Sequence, residues 1–197
     1  MSGFTGKQVT PEVLCRARAG DMAAHETIFE AFSAPVFSLA ARMTGSTTTA
    51  DDILQETFVE VIRSVGRFRG DASLATWIRR IAVSKSLMHM RTAWQRRATL
   101  FRDLGDERRP FEPVAPANDG DVNAQLDLDR ALARLSDASR MVVLLHDVEG
   151  YTHAEIASLM GKSVSFSKSQ LARAHQRLRA WVEHVEEESD DYQTVTR

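Results

Sequence analysis

The chain has 197 residues, 25 basic and 27 acidic side chains, a net charge of −2 and 43% hydrophobic residues. That length fits one domain or two small ones, and the balance of apolar and charged residues excludes wholesale disorder. No apolar run reaches the ~18 residues that span a bilayer, the first residues lack the apolar core of a signal peptide, and the single Cys15 excludes an internal disulfide or a multi-cysteine metal site; the expectation is a soluble cytoplasmic protein.

Nearly every segment reads as helix. Thr10-Pro11 is a start signal, a cap residue followed by proline in the first turn. Gly20 closes this helix, Asp21 caps the next, and Pro35 and Gly45 punctuate again. The turn Ser46 to Thr49 caps a helix whose apolar residues from Ala50 onward (Ile53, Leu54, Phe58, Val61, Ile62, Val65) recur with a 3.6-residue period. Its other face shows Asp51, Asp52, Gln55, Glu56 and Glu60. Gly66 and Gly70 bracket a short loop, and a long basic helix runs from about Leu74 to Arg97 with Trp77, Ile78, Ile81, Leu87 and Met88 inside. Residues 98–124 are rich in proline and acids and lack periodicity, so they read as a linker. Helical pattern resumes at Leu126. The expected fold is all-α, with two small domains at 10–97 and 125–185 and an acidic tail at 186–197.

Residues 137–183 carry the sharpest local pattern. Val142, Val143, Leu144, Leu145 and Val148 make an apolar helix ended by Glu149-Gly150. Thr152-His153-Ala154-Glu155 is a capping box, in which the threonine hydroxyl and the glutamate carboxylate each satisfy an orphan amide. Ile156, Ala157, Leu159 and Met160 form the buried face of a short helix that Gly161 stops. A new start follows at Ser163 or Ser165, with Leu171, Ala174, Leu178 and Trp181 as a core stripe. A short helix, a glycine turn and a longer basic helix are the layout of a helix-turn-helix. Lys168, Ser169, Gln170 and Arg173 are then expected outward, residue types that suit base edges and phosphates.

The charge is segregated along the chain. Residues 63–102 carry ten basic side chains against Asp71 alone, net +9, and residues 161–180 are net +5 with no acid. An acidic stretch, net −5 over 103–137, separates the two blocks. Two basic blocks, each beside a motif, point to two contacts with a polyanion. The six histidines show no metal-ligand spacing, Cys15 has no base near it in sequence, and there is no HExxH, P-loop or GxGxxG motif. No catalytic residue, metal or cofactor is expected.

Ala50-Asp51-Asp52-Ile53-Leu54-Gln55-Glu56-Thr57-Phe58 resembles the "AEDLVQETF" signature of bacterial sigma factors, and Thr76-Trp77-Ile78-Arg79-Arg80-Ile81-Ala82 resembles the "TWLYRIA" segment that follows it. Residues 150–161 resemble the helix-turn-helix of the same proteins. Order, spacing and length are similar to those of the short extracytoplasmic-function (ECF) class of the sigma-70 family. The resemblance implies a promoter-specificity subunit that binds core RNA polymerase and initiates transcription of a stress- or signal-responsive regulon, commonly restrained by an anti-sigma factor. It implies polymerase binding by Asp52, Gln55, Glu56 and Glu60. It implies opened minus-ten DNA binding by Phe68, Arg69, Asp71, Ser73, Arg80, Ser84, Lys85 and Arg91, with a pocket for a flipped base in the loop from Phe68 to Ser73. It implies minus-thirty-five duplex binding by Thr152, Ser165, Lys168, Ser169, Gln170 and Arg173. The alternative is a sigma-like regulator or decoy that does not itself direct polymerase.

The chain departs from the family pattern at several positions. Ser84 stands where an asparagine is common and Met88 where an aspartate is common. Ser167 falls at a usually apolar position, beside Phe166, for which both an inward and an exposed placement are open. Trp77 is open to either core packing or stacking on a base. The domain reading makes an expectation for the free protein: limited proteolysis should cut within 98–124 and leave two protected fragments, whereas cleavage inside 50–97 would overturn those boundaries.

Overall fold

The computed structural model describes residues 3–100 and 122–194, so most of the expected linker lies outside the described residues. Among the described residues there are eight α-helices and no strand: α1 (Pro11–Arg18), α2 (Met22–Thr44), α3 (Thr47–Ser64), α4 (Leu74–Leu100), α5 (Val122–Ala133), α6 (Asp137–Val143), α7 (His153–Met160) and α8 (Val164–Thr194). The all-α expectation holds.

The helix starts follow local chemistry. Thr10 caps α1 by accepting the Val13 amide, with Pro11 in the first turn, and Asp21 caps α2 through the Ala23 amide. Ser46 caps α3 by accepting the Thr49 amide at 3.3 Å, so the expected turn is shorter than Ser46 to Thr49 and the helix begins at Thr47. Gly45 ends α2 at φ 71°, a left-handed conformation that glycine adopts without a Cβ penalty. Pro35 does not punctuate the chain: it lies inside the 23-residue α2 and is buried there. A proline costs one intrahelical hydrogen bond, and here tertiary packing overrides that local preference, because α2 touches α1, α3, α4 and α6.

The first domain is built around α2. Its Ile28, Phe32, Val36, Leu39 and Met43 are buried against Phe58 and Val61 of α3 and Ile78 and Ala82 of α4. The acidic face of α3 is left outward. A 3₁₀ turn at Val65–Arg67 and an irregular loop carry the chain into α4.

In the second domain α6 and α7 pack on α8. The apolar helix expected over Val142 to Val148 is one segment with two geometries, α-helical to Val143 and a π-turn at Leu144–Val148. Much of the core here is polar. Arg140 is fully buried and paired with Asp137 at 2.7 Å, and the Ser139 hydroxyl donates to the Gln170 carbonyl oxygen at 2.8 Å. Ser167 is fully buried, its hydroxyl 3.0 Å from His153 Nδ1, which is how a small polar side chain occupies a position usually apolar in this layout.

Histidines pin the π-turn to its neighbours. Asp147 accepts from His146 Nδ1 at 2.8 Å and from His175 Nε2 of α8 at 2.7 Å, and the His146 ring stacks on His153 at 4.6 Å. Partial burial pushes the Asp147 carboxyl up, but the hydrogen bonds and charges of His175 and His146 outweigh it and hold the carboxyl below its usual range. Desolvation, then the charges of His146 and Lys168, hold the His153 imidazole below its ordinary value, with Asp147 opposing them weakly. The unfolded chain therefore takes up the His153 proton more readily than the folded one. Stability is full above the ordinary imidazole pKa of ~6.5 and is lost as pH falls below it toward the folded value. Thermal unfolding measured from about pH 7.5 to about pH 5.5 should show a falling midpoint. His153→Gln should flatten that dependence, and an equally steep slope in the variant would remove His153 as its source.

Candidate nucleic-acid and polymerase interfaces

Three surfaces gather the residues singled out in the sequence. The first is a groove of about 440 Å³ between α3 and α4, lined by Asp52, Gln55, Glu56, Val59, Glu60 and Arg63 of α3 and by Lys85 and His89 of α4. All four residues expected to bind polymerase face this groove. Glu56 is not a free carboxylate as its place on the outward face suggested: it meets His89 Nε2 at 3.0 Å and Lys85 Nζ at 3.9 Å. Lys85, expected among the minus-ten DNA contacts, lines this groove beside Glu56. Along a helix a step of five residues turns the side chain by about 140°, so Lys85 cannot share a face with Arg80.

The second surface is a pocket of about 330 Å³ lined by Arg67, Phe68, Arg69, Gly70, Asp71, Ala72, Trp77 and Arg80. It brings together Phe68, Arg69, Asp71 and Arg80 from the expected minus-ten set. Gly70, at φ 83°, lets the loop turn back on itself. Trp77 is half-buried: it packs on the core and also lines the pocket, with its ring 5.2 Å from that of Phe68. Phe68 is held from behind by Arg18 of α1, whose guanidinium lies 5.7 Å from the ring centroid and donates to the Phe68 carbonyl oxygen. Nothing in the sequence marked Arg18, because its partner is fifty positions on. Ser73 is spent locally: its Oγ accepts the Thr76 amide at 3.1 Å at the start of α4. Beyond the pocket Arg80, Ser84 and Arg91 run along α4 as exposed positions.

The third surface is the helix-turn-helix. Gly161 at φ 64° makes the turn between α7 and α8, and Ser163, not Ser165, starts α8 by accepting the Phe166 amide. Ser165, Lys168, Ser169 and Arg173 are exposed on α8. Gln170 is not outward as expected: its side chain turns to Ser139 of α6, so the domain core occupies its carbonyl oxygen. Phe166 takes a middle course, half-buried against the core with the Lys162 ammonium 5.8 Å over its ring. Thr152 closes the capping box, its amide and hydroxyl both donating to Glu155 Oε2 at 2.8 Å. Those hydrogen bonds hold the Glu155 carboxyl below its usual range.

Comparison with known proteins agrees with this layout. Residues 28–96 match the family described as sigma-70 region 2, and residues 125–178 match sigma-70 region 4. The ECF RNA polymerase sigma factor SigM of Mycobacterium tuberculosis is 31% identical over 180 residues, covering 89% of this chain and 87% of that protein. The RNA polymerase sigma factor CarQ of Myxococcus xanthus is 31% identical over 171 residues, covering 87% of this chain and 96% of that one. Among solved structures, the sigma factor RpoE of Bartonella quintana, described in complex with the anti-sigma factor NepR, is similar in fold with a TM-score of 0.52 and 20% identity over 80% of this chain and 96% of that one. No helix among the described residues is long and apolar enough to cross a membrane. The chain belongs to the sigma-70 family as an ECF RNA polymerase sigma factor, a transcription initiation factor with regions 2 and 4.

Proposed function

We propose that region 2 docks on core RNA polymerase through the α3–α4 groove, that the loop pocket receives a base flipped from the opened minus-ten element, and that α8 reads the minus-thirty-five duplex. An anti-sigma factor is the further partner in this reading, and the protein acts by binding, without catalysing a reaction of its own. The observation that carries it is the pocket, where one concave surface at the head of a basic helix collects two aromatic rings, three arginines and Asp71. Flipping a base costs a few kcal/mol of unstacking. Stacking on an aromatic face returns about 1–3 kcal/mol per base, so Phe68 and Trp77 suffice to offset that cost, while Arg69 and Arg80 attract the phosphates on either side. Asp71 adds the acceptor that a purely cationic pocket lacks, and it can discriminate bases by their exocyclic amino groups.

On α8 the division of labour follows chemistry. Lys168 and Arg173 supply charge to phosphates or guanine edges, Ser165 and Ser169 supply short polar contacts, and Gln170 works through Ser139 to set how α8 sits on α6. Lys168→Ala and Arg173→Ala should each weaken binding to the cognate promoter duplex without loss of helical content. If Lys168 meets a phosphate, its loss lowers the salt slope of binding by about one and affects all sequences alike. If it reads a base, discrimination relaxes at one position by about 1–3 kcal/mol. Unchanged duplex binding and transcription in both variants would remove them from the interface.

Docking is tested at Asp52, since Glu56 also answers to Lys85 and His89. Asp52 is exposed, and exposed substitutions shift stability by less than about 0.5 kcal/mol. Asp52→Lys should therefore keep its thermal midpoint. Breaking one side of a charge pair desolvated on docking costs about 2–5 kcal/mol, so the variant should lose at least tenfold in affinity for core polymerase. Wild-type affinity in Asp52→Lys and in Glu60→Lys alike would mean that the groove is solvated surface.

A further inference from the structure

The loop that forms the pocket is thinly held. At its entry the Phe68 amide donates to the Val65 carbonyl oxygen at 3.1 Å, and at its exit Ser73 caps α4. Among the described residues, Arg69, Gly70, Asp71 and Ala72 make no hydrogen bond between them or to the rest of the chain. A segment so exposed and so little bonded opens at low cost. One hydrogen bond among the described residues reaches the loop from a distant element, and Arg18 of α1 makes it. Its guanidinium donates to the Phe68 carbonyl oxygen and lies 5.7 Å from the centroid of the same residue's ring. A guanidinium is a rigid fork of donors, so one cation fixes both the peptide and the ring of Phe68. That ring lies 5.2 Å from the ring of Trp77, the other aromatic wall of the pocket. Arg18 itself is not part of the lining and acts from outside it.

The base of Arg18 is anchored by buried contacts. Ala17 is 1% exposed, and its carbonyl oxygen accepts from Nε2 of the buried His25 on α2 at 2.8 Å and from the Gly20 amide at 3.0 Å. One residue earlier, Arg16 pairs with Asp21 at 2.6 Å, across the join between α1 and α2. The end of α1 also rests against the 3₁₀ turn that leads into the loop, where a Cβ on Gly66 would meet the Arg18 carbonyl oxygen at 3.7 Å. The arginine therefore reaches the loop from a fixed point of the domain core.

We propose that Arg18 is a positioning residue of the base pocket, which braces Phe68 from α1 so that the loop already has its base-receiving shape before DNA arrives, while Arg18 touches neither base nor phosphate. The inference rests on the reading of the loop pocket as the receiver of a flipped base. A loop held in its binding shape is spared the ordering cost of capture, and a site formed only part of the time loses apparent affinity in proportion to that fraction. Without Arg18 the rings of Phe68 and Trp77 remain, but the loop that carries Phe68 is tied only at its two ends.

The test assembles the full chain with core RNA polymerase on its cognate promoter, opened as a bubble over the minus-ten element, with each base of the exposed strand replaced in turn by an abasic site. In the wild type, loss of the captured base should weaken binding about tenfold or more. Arg18→Met keeps the stem and loses both contacts, and should cut that penalty to about a third or less. Its affinity for the abasic promoter and its salt slope should stay at wild-type values. Arg18→Lys restores the charge but not the fork, so its penalty should lie nearer that of Arg18→Met than that of the wild type. Arg18 is exposed, so both variants should keep their helical content and thermal midpoint. A full penalty in both would overturn the positioning role. Equal losses on intact and abasic promoters, with a salt slope lower by about one and recovery in Arg18→Lys, would make Arg18 a phosphate contact and overturn it as well. If no position carries a penalty in the wild type, or if Phe68→Ala leaves the penalty whole, what fails is the reading of the loop as a base pocket.

Discussion

The structure depends on the burial of α2. One 23-residue helix supplies the floor on which α1, α3, α4 and α6 all rest. A helix used from so many sides cannot be amphipathic in the ordinary sense, and α2 buries Ile28, Phe32, Val36, Leu39, Ala40, Ala41 and Met43 around much of its circumference. Two consequences follow. The helix tolerates Pro35, since packing on several sides holds the backbone through the missing hydrogen bond. And α3 and α4, lying against the same floor, have their spacing fixed, which is what makes the groove between Glu56 and Lys85–His89 a defined shape instead of a flexible cleft.

Region 4 is held by a different balance. Its α6 and α7 are short, and α6 contributes Ser139 and Arg140 as well as Met141, Val142 and Val143 to the interior. Hydrogen bonds are directional where apolar contacts are not, so Ser139–Gln170 and His153–Ser167 fix the rotation of α8 about its own axis. That rotation decides which side chains point outward from the recognition helix. Polar contacts in this core cost desolvation and restrict how its helices can pack.

Much of this was legible in one sequence. Thr10, Asp21, Ser46 and Thr152 announced helix starts because capping is a local reaction between a side chain and an amide two or three residues on. Gly45 and Gly161 announced stops for the same reason. The loop pocket was legible through the cluster from Phe68 to Ser73, whose members are neighbours in sequence as well as in space. What stayed hidden was the long-range pairing. Lys85 looked like part of a basic strip because charge runs carry no azimuth until a partner helix is placed, and Glu56 supplied that partner from α3. Gln170 looked outward because the Ser139 that turns it inward lies 31 positions away. Pro35 was misread as a break because propensity is local and the burial that overrides it is not.

The placement of Arg80 and Arg91 on one helix has a metrical consequence. They are eleven residues apart, which on an α-helix is about three turns and ~16 Å of rise, with nearly the same azimuth. On the proposed reading of α4 as a DNA-contacting helix, it is a ruler graduated in turns, with the loop pocket at its zero mark. A strand that kept the ~3.4 Å spacing of stacked nucleotides would pass about five of them between the two marks, and a strand pulled straight would pass fewer. On that reading, the number of nucleotides counted between a base held in the pocket and the far arginine is set by how taut the strand is drawn, and the helix would register tension in the opened DNA.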